Sequence, residues 1–171
     1  MILLSGSSSS GKTSLGQALQ RRLAVPAVLV EADRVFPSVP FDHPAWESLG
    51  LHRSDVILTF HRSIAAWAAH GFNVIVDGPL PYGDRQLRDE CLRVFEPFYF
   101  RIVGVRCADA VLTERESSRP DERLEGWAVR HATTVHDGMR YAAEVDTTAR
   151  SPDECAEDVA TQLGLSLVPV H

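Results

Sequence analysis

Eight residues near the start of the chain, Gly6-Ser7-Ser8-Ser9-Ser10-Gly11-Lys12-Thr13, fit the pattern GxxxxGK[ST]. These residue types suit one task, the cradling of a polyphosphate. Small residues let consecutive backbone N–H groups turn inward around phosphate oxygens. The helix that follows Gly11 points its positive end at the same place. In that arrangement Lys12 reaches the β- and γ-phosphates and the Thr13 hydroxyl ligates Mg2+. Gly6, Ser7, Ser8, Ser9, Ser10, Gly11, Lys12, Thr13 and Ser14 are therefore expected to bind a nucleoside triphosphate, ATP or GTP. The alternative is a serine-rich turn capping a helix, but an apolar strand pattern precedes the segment and a helical one follows it. Lys12 is also the only lysine in the chain, against sixteen arginines.

Two carboxylates extend the chemistry. Asp77 ends the apolar run Phe-Asn-Val-Ile-Val and is a candidate magnesium ligand beside Thr13, directly or through a water; an ordinary Asp-Gly turn is the competing reading. No glutamate follows it and no Asn-Lys-x-Asp occurs, which disfavours a hydrolysis-driven motor and a switch GTPase. Asp33 ends the second apolar run and is the candidate catalytic base. It would accept the proton of an attacking hydroxyl and aim that oxygen at the γ-phosphate. Otherwise it caps the next segment or pairs with Arg34, and Glu31 is the nearest competitor for the base.

Phosphoryl transfer needs cations over the moving group. Arg115, Arg119 and Arg123 recur every four residues around a break at Pro120, and a mobile lid is expected at about 115–128. Arg119 and Arg123 are candidate catalytic cations. Arg115 and Arg119 are candidate nucleotide contacts, although Arg115 could instead pair with Glu116 or Glu122. The loop 36–46 is rich in proline and aromatics. Phe36, Phe41 and Trp46, with Phe60 from the next helix, are the candidate acceptor contacts; packing against that helix is the alternative, and Phe60 and Trp67 also fit a core.

The elements that must position these residues alternate. Strand patterns cover 1–4, 27–30, 72–76, 98–105 and 143–145. Helical patterns cover 11–23, 52–70, 84–95, 108–118, 124–135 and a last segment capped by Ser151 with Pro152 next and ended by Gly164. Such alternation, with mostly continuous apolar strands, predicts an α/β fold in three layers, a five-stranded parallel sheet covered by helices on both faces. The glycine loop, Asp33, Asp77 and Asp146 all follow strands, so they belong to one sheet edge, where ligands bind in such folds.

A length of 171 residues and 44% apolar composition fit one domain, residues 1–171, with a real core. The net charge of −6 argues against a nucleic-acid partner. No apolar run is long enough for a membrane span and no signal-peptide pattern is present. Cys91, Cys107 and Cys155 show no metal spacing, nor do the seven histidines. A cytoplasmic enzyme is expected, with a homo-oligomer possible.

The chain resembles the chloramphenicol phosphotransferases, antibiotic-modifying kinases of the P-loop nucleotide-kinase type, over nearly its whole length. The resemblance rests on Gly6–Thr13, Asp33, Val76-Asp77 and a C-terminal string: Val103-Gly104-Val105-Arg106-Cys107, Arg115-Glu116, Val135-His136-Asp137-Gly138, Tyr141 and Glu144-Val145-Asp146-Thr147-Thr148. It implies a P-loop kinase fold, Asp33 as the catalytic base, Arg119 and Arg123 in the lid, and a hydroxyl of a small natural product as acceptor, chloramphenicol or a nucleoside antibiotic. The lid Arg-Pro-Asp-Glu-Arg is one residue longer than usual in that family, and residues 36–54 depart most from it. Two other readings are a metabolic kinase for shikimate, gluconate or a nucleoside, and a nucleotide-binding regulator that transfers nothing.

Overall fold

The computed structural model describes residues 1–78, 80–118 and 126–168. Five strands form one parallel sheet: β1 (Ile2–Ser5), β2 (Ala27–Glu31), β3 (Asn73–Asp77), β4 (Arg101–Arg106) and β5 (Ala143–Asp146). Their order is β2-β3-β1-β4-β5. Neighbours run in register, with Leu4 opposite Asp77 and Ser5 opposite Gly104. The chain passes from β1 to β3 by way of the edge strand β2, then crosses back over β1 to β4. The strand order therefore reverses at β1, and the carboxyl end of β1 is the crevice where a ligand fits.

Helices cover both faces, and the alternation of β1 shows why. Ile2 and Leu4 point to one face, where Leu15 and Leu19 of α1 (Lys12–Arg22) and Cys155, Ala156 and Val159 of α7 (Pro152–Leu163) close a core over Ile75, Val103 and Val145. Leu3 points to the other face. There Phe60 and Ile64 of α3 (Arg53–Ala69) and Cys91 of α4 (Arg85–Arg93) pack on Val74 and Val76, with Phe95 fully buried between them. A strand buried on both faces must be apolar at every position, and the run Ile-Leu-Leu is.

Three short helices complete the chain: α2 (Ala32–Val35), α5 (Asp109–Ser117) and α6 (Trp127–Ala132). α7 begins with a full capping box, in which Ser151 Oγ accepts from the Glu154 N–H and Glu154 accepts from the Ser151 N–H. Two elements are shorter than their sequence patterns. β4 begins at Arg101 rather than Phe98, where its pairing with β1 starts opposite Ile2; Arg101 N–H donates to Met1 O, and the Met1 ammonium donates to Tyr99 O. α6 spans six residues. It begins after Gly126, held at φ +73°, and stops before the β-branched run Thr133-Thr134-Val135. The Thr133 hydroxyl bonds back to Arg130 O, a local bond that competes with helix continuation.

Candidate active site

The sequence 6–13 forms a loop wrapped over the carboxyl end of β1. Gly6 enters it against β4, so closely that a Cβ would lie 2.4 Å from Val105 O; only glycine fits. Ser9 at φ +59° and Gly11 at φ +88° bend the chain the left-handed way, which turns backbone N–H groups inward before α1 starts at Lys12. Among the described residues, the buried hydroxyls of Ser9 and Ser10 have no hydrogen-bond partner. The loop thus carries polar groups that the fold leaves unsatisfied, as a phosphate cradle must.

A cavity of about 380 Å³ opens over this loop. It is lined by Ser8, Ser9, Gly11, Lys12, Thr13 and Ser14, together with Asp33, Asp77 and Gly78. Lys12 Nζ lies 2.7 Å from Ser7 O, to which it donates. Thr13 Oγ1 donates to Asp77 Oδ2 at 2.5 Å. Burial lifts the Asp77 carboxyl above its ordinary range, against the pull of the Lys12 ammonium and the Thr13 hydroxyl. A hydroxyl and a carboxylate in contact, both oxygen donors, are the ligand types that a hard cation such as Mg2+ takes from protein. Asp33 sits in the first turn of α2 just beyond β2 and faces the same cavity. Arg34 pairs with Glu31 at 2.5 Å, so Arg34 and the competing carboxylate Glu31 engage each other.

Beyond the loop the cavity is lined by two contact groups. In one lobe Arg115 of α5 donates to Thr147 Oγ1 at 3.1 Å and to Thr147 O at 2.8 Å, and Thr147 Oγ1 donates to Ser10 O at 2.8 Å. Arg150, Pro152 and Cys155 finish this lobe. A second lobe of the lining holds Tyr82, His131 and Trp127. The Tyr82 and His131 rings meet edge to face at 4.3 Å, and His131 and Trp127 lie 4.4 Å apart. Tyr82 donates to Gly6 O at 3.3 Å. Burial, then the Asp77 charge, pushes its phenol upward, so it remains a donor at neutral pH. Burial, then Lys12, lowers His131, which is neutral there.

The fold therefore brings Lys12, Thr13, Ser14, Asp33, Asp77 and Arg115 to one cavity. Arg119 and Arg123 lie outside the described residues. Phe36, Phe41, Trp46 and Phe60 do not line the cavity. Phe36 packs edge-on against Phe60 at 5.3 Å, and Phe60 is buried in the core beside α4. Phe41 pairs with Trp46 at 5.4 Å and carries the Arg53 guanidinium over its face at 4.6 Å. The aromatic loop thus satisfies its own rings on α3. Sequence reasoning missed Tyr82, Trp127, His131, Thr147 and Arg150. A signal existed for Tyr82, which follows Asp77-Gly78 onto the same sheet edge, and for Thr147, which follows β5.

Sheet order and phosphate loop together define a P-loop kinase fold. Solved structures are similar over almost the full chain. A tunicamycin resistance protein from Deinococcus radiodurans is 18% identical with a TM-score of 0.67, covering 99% of this chain and 98% of its own. The APS kinase of Mycobacterium tuberculosis, solved with AMPPNP and APS, is 19% identical with a TM-score of 0.66 and coverage of 95% and 96%. A gluconokinase from Sinorhizobium meliloti is 21% identical with a TM-score of 0.63 and coverage of 95% and 90%. No curated protein sequence matches the chain. The family model for chloramphenicol phosphotransferase-like proteins matches residues 1–164. The chain belongs to that family, and it is a P-loop phosphotransferase.

Proposed function

We propose that this enzyme moves the γ-phosphate of ATP or GTP onto a hydroxyl of a small natural-product antibiotic, in a chloramphenicol-like or nucleoside-antibiotic scaffold, and so confers resistance or self-protection in the cytoplasm. The observation that carries the reading is the single cavity shared by Lys12, Thr13, Asp33 and Asp77. The triphosphate lies along the loop with its nucleoside toward Arg115 and Thr147. The acceptor enters from the lobe of Tyr82, His131 and Trp127, beside Asp33. Its hydroxyl oxygen attacks the γ-phosphorus in line, its proton passes to the Asp33 carboxylate, and the bond to the β-phosphate oxygen breaks to release the diphosphate. Lys12 holds charge that grows on the bridging and γ-oxygens, and Arg119 and Arg123 are assigned the same task. Thr13 and Asp77 would hold Mg2+, which when bound neutralises phosphate charge. Residues 1–171 act as one phosphotransferase domain in this scheme.

A second reading, a kinase for a metabolite such as gluconate or shikimate, gains from one observation. In the loop 36–46, which suited a partly apolar acceptor, Phe36 packs on Phe60 of α3 and Phe41 on Trp46, and none of these rings lines the cavity. The two readings separate in a mass-spectrometric screen with ATP, GTP and Mg2+, in which hydroxylated antibiotics and metabolites compete. A gain of one phosphoryl group on an antibiotic supports the first. A gain on gluconate or shikimate alone overturns it in favour of the second, and acceptor-independent hydrolysis alone overturns both.

A further inference from the structure

Arg115 and Glu116 are adjacent in sequence and engage different segments of the cavity wall. Arg115 anchors Thr147, whereas the Glu116 carboxylate reaches α6. Its Oε2 accepts from the Gly126 N–H at 2.9 Å and its Oε1 from the Ala128 N–H at 2.8 Å. The backbone there is left-handed at Gly126 and helical from Trp127. Successive residues of opposite hand turn their N–H groups into one concavity that takes an anion, and the anion here is the protein's own side chain.

The contact has work to do. A six-residue helix has too few internal bonds to hold itself, and its first N–H groups have no partner within the helix. Ala128 is fully buried, so its N–H has no water to turn to and would be costly to leave unpaired. A carboxylate that accepts two backbone bonds makes charge-assisted contacts at both. The residues fixed by them face the cavity: Trp127 lies between the two bonded amides, and His131 follows one turn later against Tyr82.

We propose that Glu116 is a positioning residue for the acceptor lobe, holding Trp127 and His131 at the spacing from Tyr82 at which the acceptor is presented to Asp33. This rests on reading that lobe as the acceptor's. Arg115, one residue earlier, serves the nucleotide lobe, so loss of Glu116 separates the two substrates.

The test uses two variants of the full chain. Glu116→Gln keeps the size and one acceptor oxygen but loses the charge and one bond. Gly126→Ala keeps Glu116 and strains a backbone at φ +73° that a side chain resists. Both should raise KM for the acceptor that gains a phosphoryl group in the screen, by about tenfold, with the nucleotide KM unchanged. Both should speed hydrogen exchange at the Gly126 and Ala128 amides of the unliganded protein. Unaltered exchange in Glu116→Gln overturns the contact. Faster exchange with neither KM altered, or with both raised together, overturns the positioning role. If the wild-type chain phosphorylates no acceptor, the functional reading and the acceptor half of this proposal fall, while the exchange data still decide whether Glu116 holds α6.

Discussion

The Thr13 hydroxyl meets the Asp77 carboxylate at 2.5 Å across 64 residues of sequence. Parallel pairing makes this possible. Asp77 stands opposite Leu4 in the sheet, and the loop from β1 brings Thr13 back over that edge. The pair is assigned to the metal, and Asp77→Asn tests it. Asn still accepts from Thr13, so the contact survives while the charge is lost. Transfer should fall roughly 10²-fold or more and need higher Mg2+ for what remains. The melting temperature of the unliganded protein should not fall. Because burial raises the Asp77 pKa in the folded chain above its ordinary 3.8, the folded form keeps its proton over a pH range in which the unfolded chain has shed it, and above that range ionised Asp77 costs stability. A kinetic titration with Mg2+ beside a thermal melt checks both halves.

Asp33 lies in the first turn of α2, facing the cavity but outside the phosphate loop. Asp33→Asn should therefore leave nucleotide binding intact while transfer drops about 10²-fold or more, since Asn cannot take the proton. Calorimetric nucleotide binding beside single-turnover transfer measures the two separately. Near-normal turnover would remove Asp33 from the role of base.

Much of this site was legible in the residues because strand-end positions are cheap to read. Once Ile2–Ser5, Asn73–Asp77 and Ala143–Asp146 are strands of one parallel sheet, Gly6, Asp77 and Asp146 must share an edge. The lobe of Tyr82, Trp127 and His131 was harder. Trp127 and His131 face the cavity because Glu116, ten residues before Gly126, accepts from two backbone amides around a left-handed glycine, and no periodicity encodes that. The loop 36–46 misled for a related reason. Its aromatic content suits a pocket and self-packing equally, and the partners that decide the matter, Phe60 and Arg53, belong to α3.

His61 should make the fold sensitive to acid. It is fully buried between Phe60 and Phe95, with Nδ1 2.7 Å from Ile57 O and no partner for Nε2 among the described residues. Burial lowers its pKa, partly offset by the bond to Ile57. The unfolded chain therefore takes up the proton first. The stability from neutral His61 is present in full above its ordinary value of 6.5 and is lost as pH falls from there toward the folded pKa. Urea midpoints should drop between pH 7 and pH 5, and His61→Leu should flatten that drop. It should not abolish it, because His131 and His136 are lowered by burial as well. An equal slope in the variant would clear His61.

Lys12 invites a substitution that keeps its charge. Its ammonium donates to Ser7 O at 2.7 Å within the loop, so the cation is held by the same backbone that is assigned to the phosphates. An ammonium is compact and turns its three donors freely, whereas a guanidinium is broad, planar and fixed in its donor directions. The Lys12 charge acts at once on a backbone oxygen, Ser7 O, and on the Asp77 carboxylate, two acceptors that freely turned donors reach more readily than a fixed fork. Lys12→Arg should thus behave nearly as badly as Lys12→Ala, with transfer down roughly 10²-fold or more in each, although the net charge of the first is unchanged. Steady-state rates for the two variants decide it. If arginine restored most of the activity, charge alone would suffice at this position, and shape would have no part in why the chain's only lysine stands there.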